Sequence, residues 1–480
     1  MSEYKLFVQR IGLIGVTQIL VTLSTVILLP ILTKNYSVSD YGIWVQVIVT
    51  LNLVPTLITL GMSFSMTRFL ASRDDKKEIQ EGFYSIVLLV ALTGIIAAIL
   101  LFLSSQFIAH AILNDNVAVA KLLAPIVFFG ALNIVYLNFF RTFQQMKIYS
   151  IFLLLQAYIP VLWVSYFAVA GYSIFFAVLG MLITYVIIFL MALAIIIHFI
   201  GFKIPKMRDI REYLSLGLPI VPSNLSYWIV ESSDRYIIAI LLSTAFVGYY
   251  SPSYTLGNLI LMLMFPFSVL LLPLLTKYYD ENKMDQVRIF IKYSLKFFMA
   301  FAVPAAVGLS LLSKIIIQIL TTPEIAANGY FVTPFVTVSA LLFGIYNIIL
   351  NILVLNKKTK IIGIIWIIAA VFNALLNITM IPYIGILGAA VSTLAAYTIA
   401  FIITVAYSSK YFKFDFDLPF IAKCIVAAIP MSLIIVKFYP TDILNLIIVI
   451  IISSIVYMGI LMLLKGFKKE EFEFIRTLLR

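Results

Sequence analysis

Long apolar runs recur along this chain. They extend from Ile11 to Leu464, and each is close to the length of about 20 residues that a helix needs to cross the hydrocarbon of a bilayer. Backbone groups cannot stay unpaired in lipid, so helices are the expected form of such runs. The pattern therefore predicts an all-α polytopic membrane protein.

The runs separate into fourteen predicted transmembrane helices. Their approximate ranges are 11–33, 42–66, 82–106, 121–143, 150–168, 174–200, 214–241, 252–275, 292–313, 330–354, 361–381, 386–407, 418–437 and 442–464. The loops between them are too short to form a domain, so any chemistry is expected within the membrane or at its faces.

Positive charge falls on alternate loops. Of the 33 Lys and Arg residues, only four lie on one side of the predicted membrane, and Arg235 lies inside a span, which leaves 28 on the other side. Cytoplasmic loops carry the excess of Lys and Arg in membrane proteins. The alternation supports the span count and predicts a cytoplasmic-membrane protein with both termini in the cytoplasm.

The amino-acid composition limits the kinds of partner that the protein is expected to bind. The chain is 63% hydrophobic and 11% charged, whereas soluble domains carry about 25% charged residues. The net charge of +12 follows the loops, so membrane lipids are expected as partners and nucleic acid is not. Cys424 is the only cysteine, which excludes an internal disulfide and a cysteine-based metal site. We expect no cofactor and no metal.

The tail from Lys465 to Arg480 is predicted to be a basic amphipathic helix on the inner leaflet.

Two stretches of the chain look alike. Gly12 to Tyr41 runs into "NYSVSDYGIW", and Leu216 to Tyr249 ends in "LLSTAFVGYYS", with an offset of about 206 residues that is set by Gly42 and Gly248. Six predicted spans separate the two starts, as in parallel repeats that surround a central cavity. The predicted organisation is a six-helix lobe over 1–205, a second over 206–410, and an appended hairpin with a basic tail over 411–480.

Three stretches carry a family resemblance. They are "LLPILTKNYSVSDYGIW", "LSLGLPIVPSNLSYWIVESSDRYIIAILLSTAFVGYYSPSY" and "FNALLNITMIPYIGILGAAVSTLAAY". The chain resembles the Wzx-type polysaccharide exporters of the multidrug/oligosaccharidyl-lipid/polysaccharide flippase superfamily, whose members have a MATE-like fold. The resemblance implies a flippase that moves a polyprenyl-(pyro)phosphate-linked sugar or oligosaccharide across the membrane, without catalysis. It also implies that other polysaccharide-assembly proteins are possible partners.

The seventh predicted span holds three ionisable residues, Glu231, Asp234 and Arg235. Such residues are costly in a membrane and usually face the bundle interior. The 4-3-4 spacing of Asn224, Trp228, Glu231 and Arg235 places them on one helical face. We expect Arg235 to bind a phosphate or acidic sugar and Glu231 or Asp234 to bind a coupling ion. In the alternative, Glu231 and Arg235 form a structural ion pair, and Asp234, nearer the outer interface, is merely solvated.

Other polar residues complete the predicted substrate site. Gln18 corresponds to Asn224 in the repeat and is suited to sugar hydroxyls, and Asn258 is a further amide within a span. Arg68 ends the second span and would receive the headgroup, although ordinary anchoring at the cytoplasmic face would also explain it. Most of the other amides and hydroxyls within spans are expected to join helices by hydrogen bonds.

Two rival functions stay open. A MATE-like cation-coupled exporter of small molecules would typically have twelve spans rather than fourteen. A membrane polymerase or glycosyltransferase would need an acidic catalytic loop outside the membrane, and the outer acids here, such as Asp40 and Asp115, are isolated. The chain has no G-x-x-x-x-G-K-[ST] nucleotide loop, so an ion gradient, the membrane potential or substrate consumption is expected to drive transport.

Overall fold

The computed structural model describes residues 3–414 and 416–467, and this part of the chain folds into α-helices, three short 3-10 helices and loops. The α-helices are α1 (Glu3–Asn35), α2 (Val38–Ile58), α3 (Met62–Leu70), α4 (Lys76–Leu103), α5 (Ser105–Ile112), α6 (Val117–Thr142), α7 (Met146–Val169), α8 (Ile174–Ile200), α9 (Ile210–Gly217), α10 (Val221–Leu241), α11 (Thr244–Asn258), α12 (Phe265–Asp280), α13 (Met284–Leu320), α14 (Pro323–Gly329), α15 (Thr333–Leu355), α16 (Thr359–Ile384), α17 (Ile386–Tyr411), α18 (Leu418–Lys437) and α19 (Ile443–Leu463).

The prediction of an all-α polytopic membrane protein is confirmed. Within the described residues, thirteen helical segments are long and apolar enough to cross a membrane, so the predicted count of fourteen is approximate. The predicted span that is missing from the thirteen is the seventh. Its main helix, α10, is 21 residues long but carries Glu231, Asp234 and Arg235, which make it the least apolar of the predicted spans.

Three predicted spans are interrupted in the structure. The second span divides into α2 and α3 at Gly61, which has a left-handed backbone with φ of 72°. The seventh divides at a 3-10 turn over Leu218–Ile220, and the eighth at a 3-10 segment over Leu259–Met264. Pro219 and Pro266 lie at these two breaks, where a proline removes a backbone donor. Pro304, in contrast, lies within the uninterrupted helix α13.

The chain forms two compact units, Met1–Gly248 and Tyr249–Arg480. Helices α9 and α10 therefore group with the N-terminal helices in the first unit. The predicted lobe boundaries at 205 and 410 were drawn from the internal repeat, whereas the two units are defined by compactness. The lobe boundaries therefore stay a prediction.

In the first unit, helix α6 is largely buried and packs against α2, α4 and α8. Its buried positions include Gly130 and Ala131, small residues that allow membrane helices to approach closely, and Asn133, whose amide donates to the Tyr185 carbonyl of α8 at 3.0 Å. Helix α1 packs mainly along α7.

In the second unit, α13 is central. It packs against α15 on one side and against α18 of the appended hairpin on another. Phe420 and Cys424 of α18 are fully or almost fully buried in this interface. Buried Lys296 of α13 lies with its ammonium group 4.6 Å from the centre of the Phe420 ring, so the hairpin is joined to the unit by both apolar and cation–π contacts. The predicted tail helix falls mostly on 468–480, outside the described residues.

Candidate substrate cavity in the first unit

Two long helical stretches of the first unit lie antiparallel. As residue numbers rise from Val38 through α2 and α3, they fall along the opposing stretch from Gly248 through α10 and α9. The two stretches touch near both ends, and a cavity lies between them in the middle. We call the two regions of touching the outer contact and the inner contact, according to the predicted topology.

The outer contact is made by hydrogen bonds and close backbone approach. The Gln46 side-chain amide donates to the Arg235 carbonyl at 2.7 Å, and the Thr50 hydroxyl lies 2.6 Å from the Tyr236 hydroxyl. A Cβ atom on Gly42 would lie only 2.0 Å from the Thr244 carbonyl oxygen. Glycine is therefore required sterically for the helices to meet here.

The repeat relates two approaches in the outer contact. Gly42 lies against Thr244, and Gly248 lies against Val38, whose carbonyl oxygen would be 2.4 Å from an added Cβ. Residue numbers 42 and 248 differ by 206, as do 38 and 244. A reciprocal contact of this kind is expected where two equivalent segments meet about a pseudo-twofold axis.

The inner contact has the same character. The Ser65 hydroxyl donates to the Tyr213 carbonyl at 2.7 Å, and both residues are buried. A Cβ on Gly61 would lie 2.3 Å from the Gly217 carbonyl oxygen, and one on Gly217 would lie 2.6 Å from the Leu60 carbonyl oxygen. The left-handed turn at Gly61 brings these two backbones together.

Between the two contacts lies a cavity of about 410 Å³, a size within the range of small-molecule sites. Asn52, Leu53, Thr56 and Leu57 of α2 line one side, and Asn224, Leu225, Tyr227, Trp228, Glu231 and Ser232 of α10 line the other. The lining combines amides, hydroxyls, two aromatic rings and one carboxyl group. Such a set can bind a polar ligand that also has apolar faces.

The ionisable cluster differs from its predicted arrangement. Arg235 forms an ion pair with the adjacent Asp234 at 2.9 Å and donates to the backbone carbonyl of Glu231 at 2.8 Å. The alternative in which Asp234 is merely solvated is wrong, since its side chain is fully buried. The alternative ion pair between the Glu231 carboxylate and the Arg235 guanidinium is absent from the ion pairs of the described residues. The Glu231 side chain instead hydrogen-bonds Tyr227, one turn earlier.

The four residues that were predicted to share one helical face therefore do not all line the cavity. Asn224, Trp228 and Glu231 line the cavity, whereas Arg235 lies beyond its outer end, buried against Asp234. The indole N–H of Trp228 is also buried and has no hydrogen-bond partner among the residues that the structure describes. That free donor lies in a residue of the cavity wall.

Besides Arg235 and Asp234, three further predicted site residues do not line this cavity. Gln18 is exposed on α1, and Arg68 is exposed on α3 close to the inner contact. Asn258 belongs to the second unit, at the last position of α11, where it is partly buried. Their roles in substrate binding stay a prediction.

The sequence prediction missed four lining residues with polar groups, namely Asn52, Thr56, Tyr227 and Ser232. Asn52 and Thr56 lie four residues apart and so share one face of α2. This spacing is the one signal that could have identified them. Within residues 3–414 and 416–467, no group of three His, Cys, Asp or Glu side chains is placed to hold a metal.

The second unit has its own cavity, which is apolar and measures about 430 Å³. It is lined by Leu259, Ile260 and Leu263 before α12, by Ala300, Phe301, Pro304, Ala305, Gly308, Leu309, Leu312 and Ile316 of α13, and by Met431, Ile435, Ile450, Ser453, Ser454, Tyr457 and Met458 of the appended hairpin. Its composition suits a hydrocarbon chain rather than a polar group.

The family match and the curated relatives found by comparison with known proteins agree with one another. The family described as polysaccharide biosynthesis protein matches residues 31–324, more than half of the chain. Two curated relatives come from Haloferax volcanii. The probable flippase AglR is 30% identical over 36% of this chain and 36% of its own length. The probable low-salt glycan biosynthesis flippase Agl15 is 22% identical over 56% of this chain and 58% of its own length. The chain thus spans between about a third and three-fifths of these relatives.

Solved structures show the same fold. The lipid II flippase MurJ in an inward closed conformation aligns with a TM-score of 0.78 at 17% identity, covering 98% of this chain and all of that one. An inward-facing multidrug resistance MATE family transporter of the MOP superfamily aligns with a TM-score of 0.68 at 14% identity, covering 82% of this chain and 94% of that one. At these identities the likeness concerns the fold alone.

Proposed function

The chain belongs to the polysaccharide biosynthesis protein family, and from this premise we propose that it is a flippase. It moves a polyprenyl-(pyro)phosphate-linked sugar or oligosaccharide from the inner to the outer leaflet of the cytoplasmic membrane, for assembly of a surface polysaccharide or glycan. Both termini lie in the cytoplasm. Its partners are the lipid-linked glycan, membrane lipids and other polysaccharide-assembly proteins.

The cavity between α2 and α10 is the observation that carries this proposal. Asn52 and Asn224 offer amides for sugar hydroxyls, and the ring of Trp228 offers an apolar face together with a free N–H donor. A sugar ring has both hydroxyl groups and apolar C–H faces, so it matches both kinds of group. The cavity is bounded by contacts at both ends, which suits alternating access.

The apolar cavity of the second unit supports a substrate with a lipid part. Its walls of aliphatic and aromatic side chains would take an isoprenoid chain, since apolar burial contributes about 0.8 kcal/mol for each CH₂ group. The curated relatives are named as flippases, one of them for glycan biosynthesis, which supports a flippase in glycan assembly.

Ion coupling is assigned to Glu231 and Asp234. Glu231 lines the cavity and keeps a carboxyl group there, so it is the residue that a proton or cation would reach together with substrate. Asp234 is buried against Arg235, so it would respond to an ion only if that pair loosened. Arg235 could reach a substrate phosphate only through the same rearrangement.

Depletion of the protein tests the proposal. We expect depleted cells to lose surface glycan and to retain the lipid-linked precursor on the cytoplasmic leaflet, measured by lipid extraction and glycan analysis. Wild-type protein and Glu281→Gln, a control at an exposed loop acid, should restore export. Glu231→Gln should insert normally and fail to restore it.

Two outcomes would count against these assignments. Normal surface glycan without retained precursor in depleted cells would refute the flippase function, and a gain of drug sensitivity instead would favour a MATE-like exporter. Full export by Glu231→Gln would leave the function intact and remove Glu231 from the mechanism.

A further inference from the structure

A second polar cavity lies beside the inner contact in the first unit. It measures about 380 Å³ and lies between the start of α4 and the linker that precedes α9. Its walls are Leu70, Arg73, Lys77, Glu78, Glu81, Lys203, Lys206, Arg208, Asp209 and Tyr213. We call it the basic cavity, because its five cations outnumber its three carboxylates.

Only two of the five cations are neutralised by direct pairing. Arg73 forms an ion pair with Glu78 at 2.5 Å, and Lys203 forms one with Glu81 at 3.2 Å. Lys77, Lys206 and Arg208 have no carboxylate within ion-pair distance in the described part of the chain.

Glu81 also fixes the shape of the cavity. One of its carboxylate oxygens accepts the backbone N–H of Lys206 at 2.5 Å, while the other pairs with Lys203. Glu81 thereby fastens the linker to α4 and is itself fully engaged. The three unpaired cations come from two different segments of the chain and surround one cavity. Loop charges that only anchored the protein at a membrane face would not need to be gathered in this way.

An anion would relieve this excess of positive charge. Like charges at close range repel one another, and Arg and Lys make strong charge-assisted hydrogen bonds to phosphate oxygens. Lys77 also lies in the first turn of α4, where the helix dipole favours a bound anion.

The position of the cavity makes it accessible to phosphate groups at the membrane surface. Helix α8 ends at Ile200 and α4 begins at Lys76, so the cavity lies at the boundary of two membrane spans. The positive-inside rule assigns this boundary to the cytoplasmic face. Basic pockets between transmembrane helices on that face bind the headgroups of anionic lipids.

We propose that the basic cavity binds a phosphate group at the cytoplasmic surface, supplied by the headgroup of an anionic phospholipid or by free phosphate. Lys77, Lys206 and Arg208 bind its oxygens. The ligand joins α4 to the linker before α9. Because Leu70 and Tyr213 line the cavity and the Tyr213 carbonyl accepts the Ser65 hydroxyl, the bound phosphate stabilises the inner contact.

The test uses the purified full-length protein in neutral detergent. The melting temperature is measured while short-chain phosphatidylglycerol, short-chain phosphatidylcholine or inorganic phosphate is added at constant ionic strength. The variant is Lys77→Gln, Lys206→Gln and Arg208→Gln combined. The matched control is Lys357→Gln, Lys358→Gln and Lys360→Gln, which removes the same charge from exposed positions at the start of α16 in the second unit.

We expect phosphatidylglycerol, but not phosphatidylcholine, to raise the melting temperature of the wild type and of the control saturably. The half-saturating lipid concentration of the variant should be at least about tenfold higher than that of the wild type, because charge-assisted contacts are lost. An equal effect of inorganic phosphate would identify a free-anion site, and an effect of phosphatidylglycerol alone would identify a lipid site. Either result supports the cavity.

Two results would overturn the proposal. One is that neither phosphatidylglycerol nor inorganic phosphate raises the melting temperature of the wild type above the phosphatidylcholine baseline. The other is that the variant keeps the wild-type half-saturating concentration, even if its melting temperature without ligand is lower.

Discussion

At the scale of single residues, the buried pair of Asp234 and Arg235 is the most consequential feature. Their side chains are 0% and 10% exposed, and they lie in a helix that packs within the first unit. A charge in a membrane interior is costly, and pairing with a neighbour reduces that cost. The Arg235 carbonyl also accepts the amide of Gln46, so this helical turn connects the ion pair to the outer contact.

Asp234→Asn should therefore destabilise the protein strongly. Removing one member of a buried pair leaves the other charge uncompensated, which costs about 3–5 kcal/mol. We expect a large fall in melting temperature and less protein in the membrane, measured by thermal unfolding in detergent and by membrane fractionation. Asp74→Asn, at an exposed loop position, is the control and should be neutral. Equal melting of the two variants would show that the pair contributes little.

The residue-scale predictions show where sequence reasoning succeeds and stops. Helical spacing placed Asn224, Trp228 and Glu231 on one face, and all three line the cavity. The same spacing could not decide between Glu231 and Asp234 as the partner of Arg235, since both are within reach of its long side chain. Nor could it identify the lining residues of α2, because hydropathy along one chain does not reveal which helix faces which.

At the scale of elements, glycines determine how α2 and α3 meet α9, α10 and the first turn of α11. Gly42 permits the outer contact, and Gly217 permits the inner contact. The sequence indicated Gly42 and Gly248 as equivalent points of a repeat. It did not indicate the left-handed turn at Gly61, because this turn divides a run that is apolar enough to be predicted as one helix.

Gly217→Ala and Gly42→Ala should open the cavity toward opposite faces. The added methyl group of Gly217→Ala would meet the Leu60 carbonyl, and that of Gly42→Ala would meet the Thr244 carbonyl, so each contact must separate. The measurement is labelling of Asn224→Cys by a membrane-impermeant thiol reagent in oriented vesicles. Native Cys424 is buried, so its background labelling should be low.

We expect Gly217→Ala to raise labelling severalfold from the cytoplasmic face and Gly42→Ala to raise it from the outer face. Gly363→Ala, where no atom lies within 4 Å of the added methyl group, should change neither. Labelling that rises from the same face in both variants would contradict the assignment of the two contacts to opposite faces.

At the scale of the whole molecule, charge alternation and helix count give a topology that can be tested directly. Reporters fused after Lys77 and Lys358 should report the cytoplasm, and one fused after Gly248 should report the outer side. The physical reason is the resistance of Lys-rich and Arg-rich loops to translocation. An external signal at Lys77 would refute the topology.

Much of the overall fold was predictable because lipid imposes a simple rule, namely that apolar runs of sufficient length become helices. The beginnings and ends of α8, at 174 and 200, and of α18, at 418 and 437, coincide with the predicted limits. Grouping into compact units was not predictable in the same way. Helix α10 joins the first unit through side-chain and backbone contacts with α2 that a repeat boundary does not describe.

The antiparallel approach of α2 and α10 sets a limit on cargo length. Thr50 and Leu60, the innermost residues of the outer and inner contacts, are separated by about 15 Å along the helix direction. While both contacts are closed, only a group shorter than this span and compatible with about 410 Å³ fits between them. A long polymer would hold one end open and let ions leak. On the proposed function, this geometry favours the export of a short glycan over a long polymer.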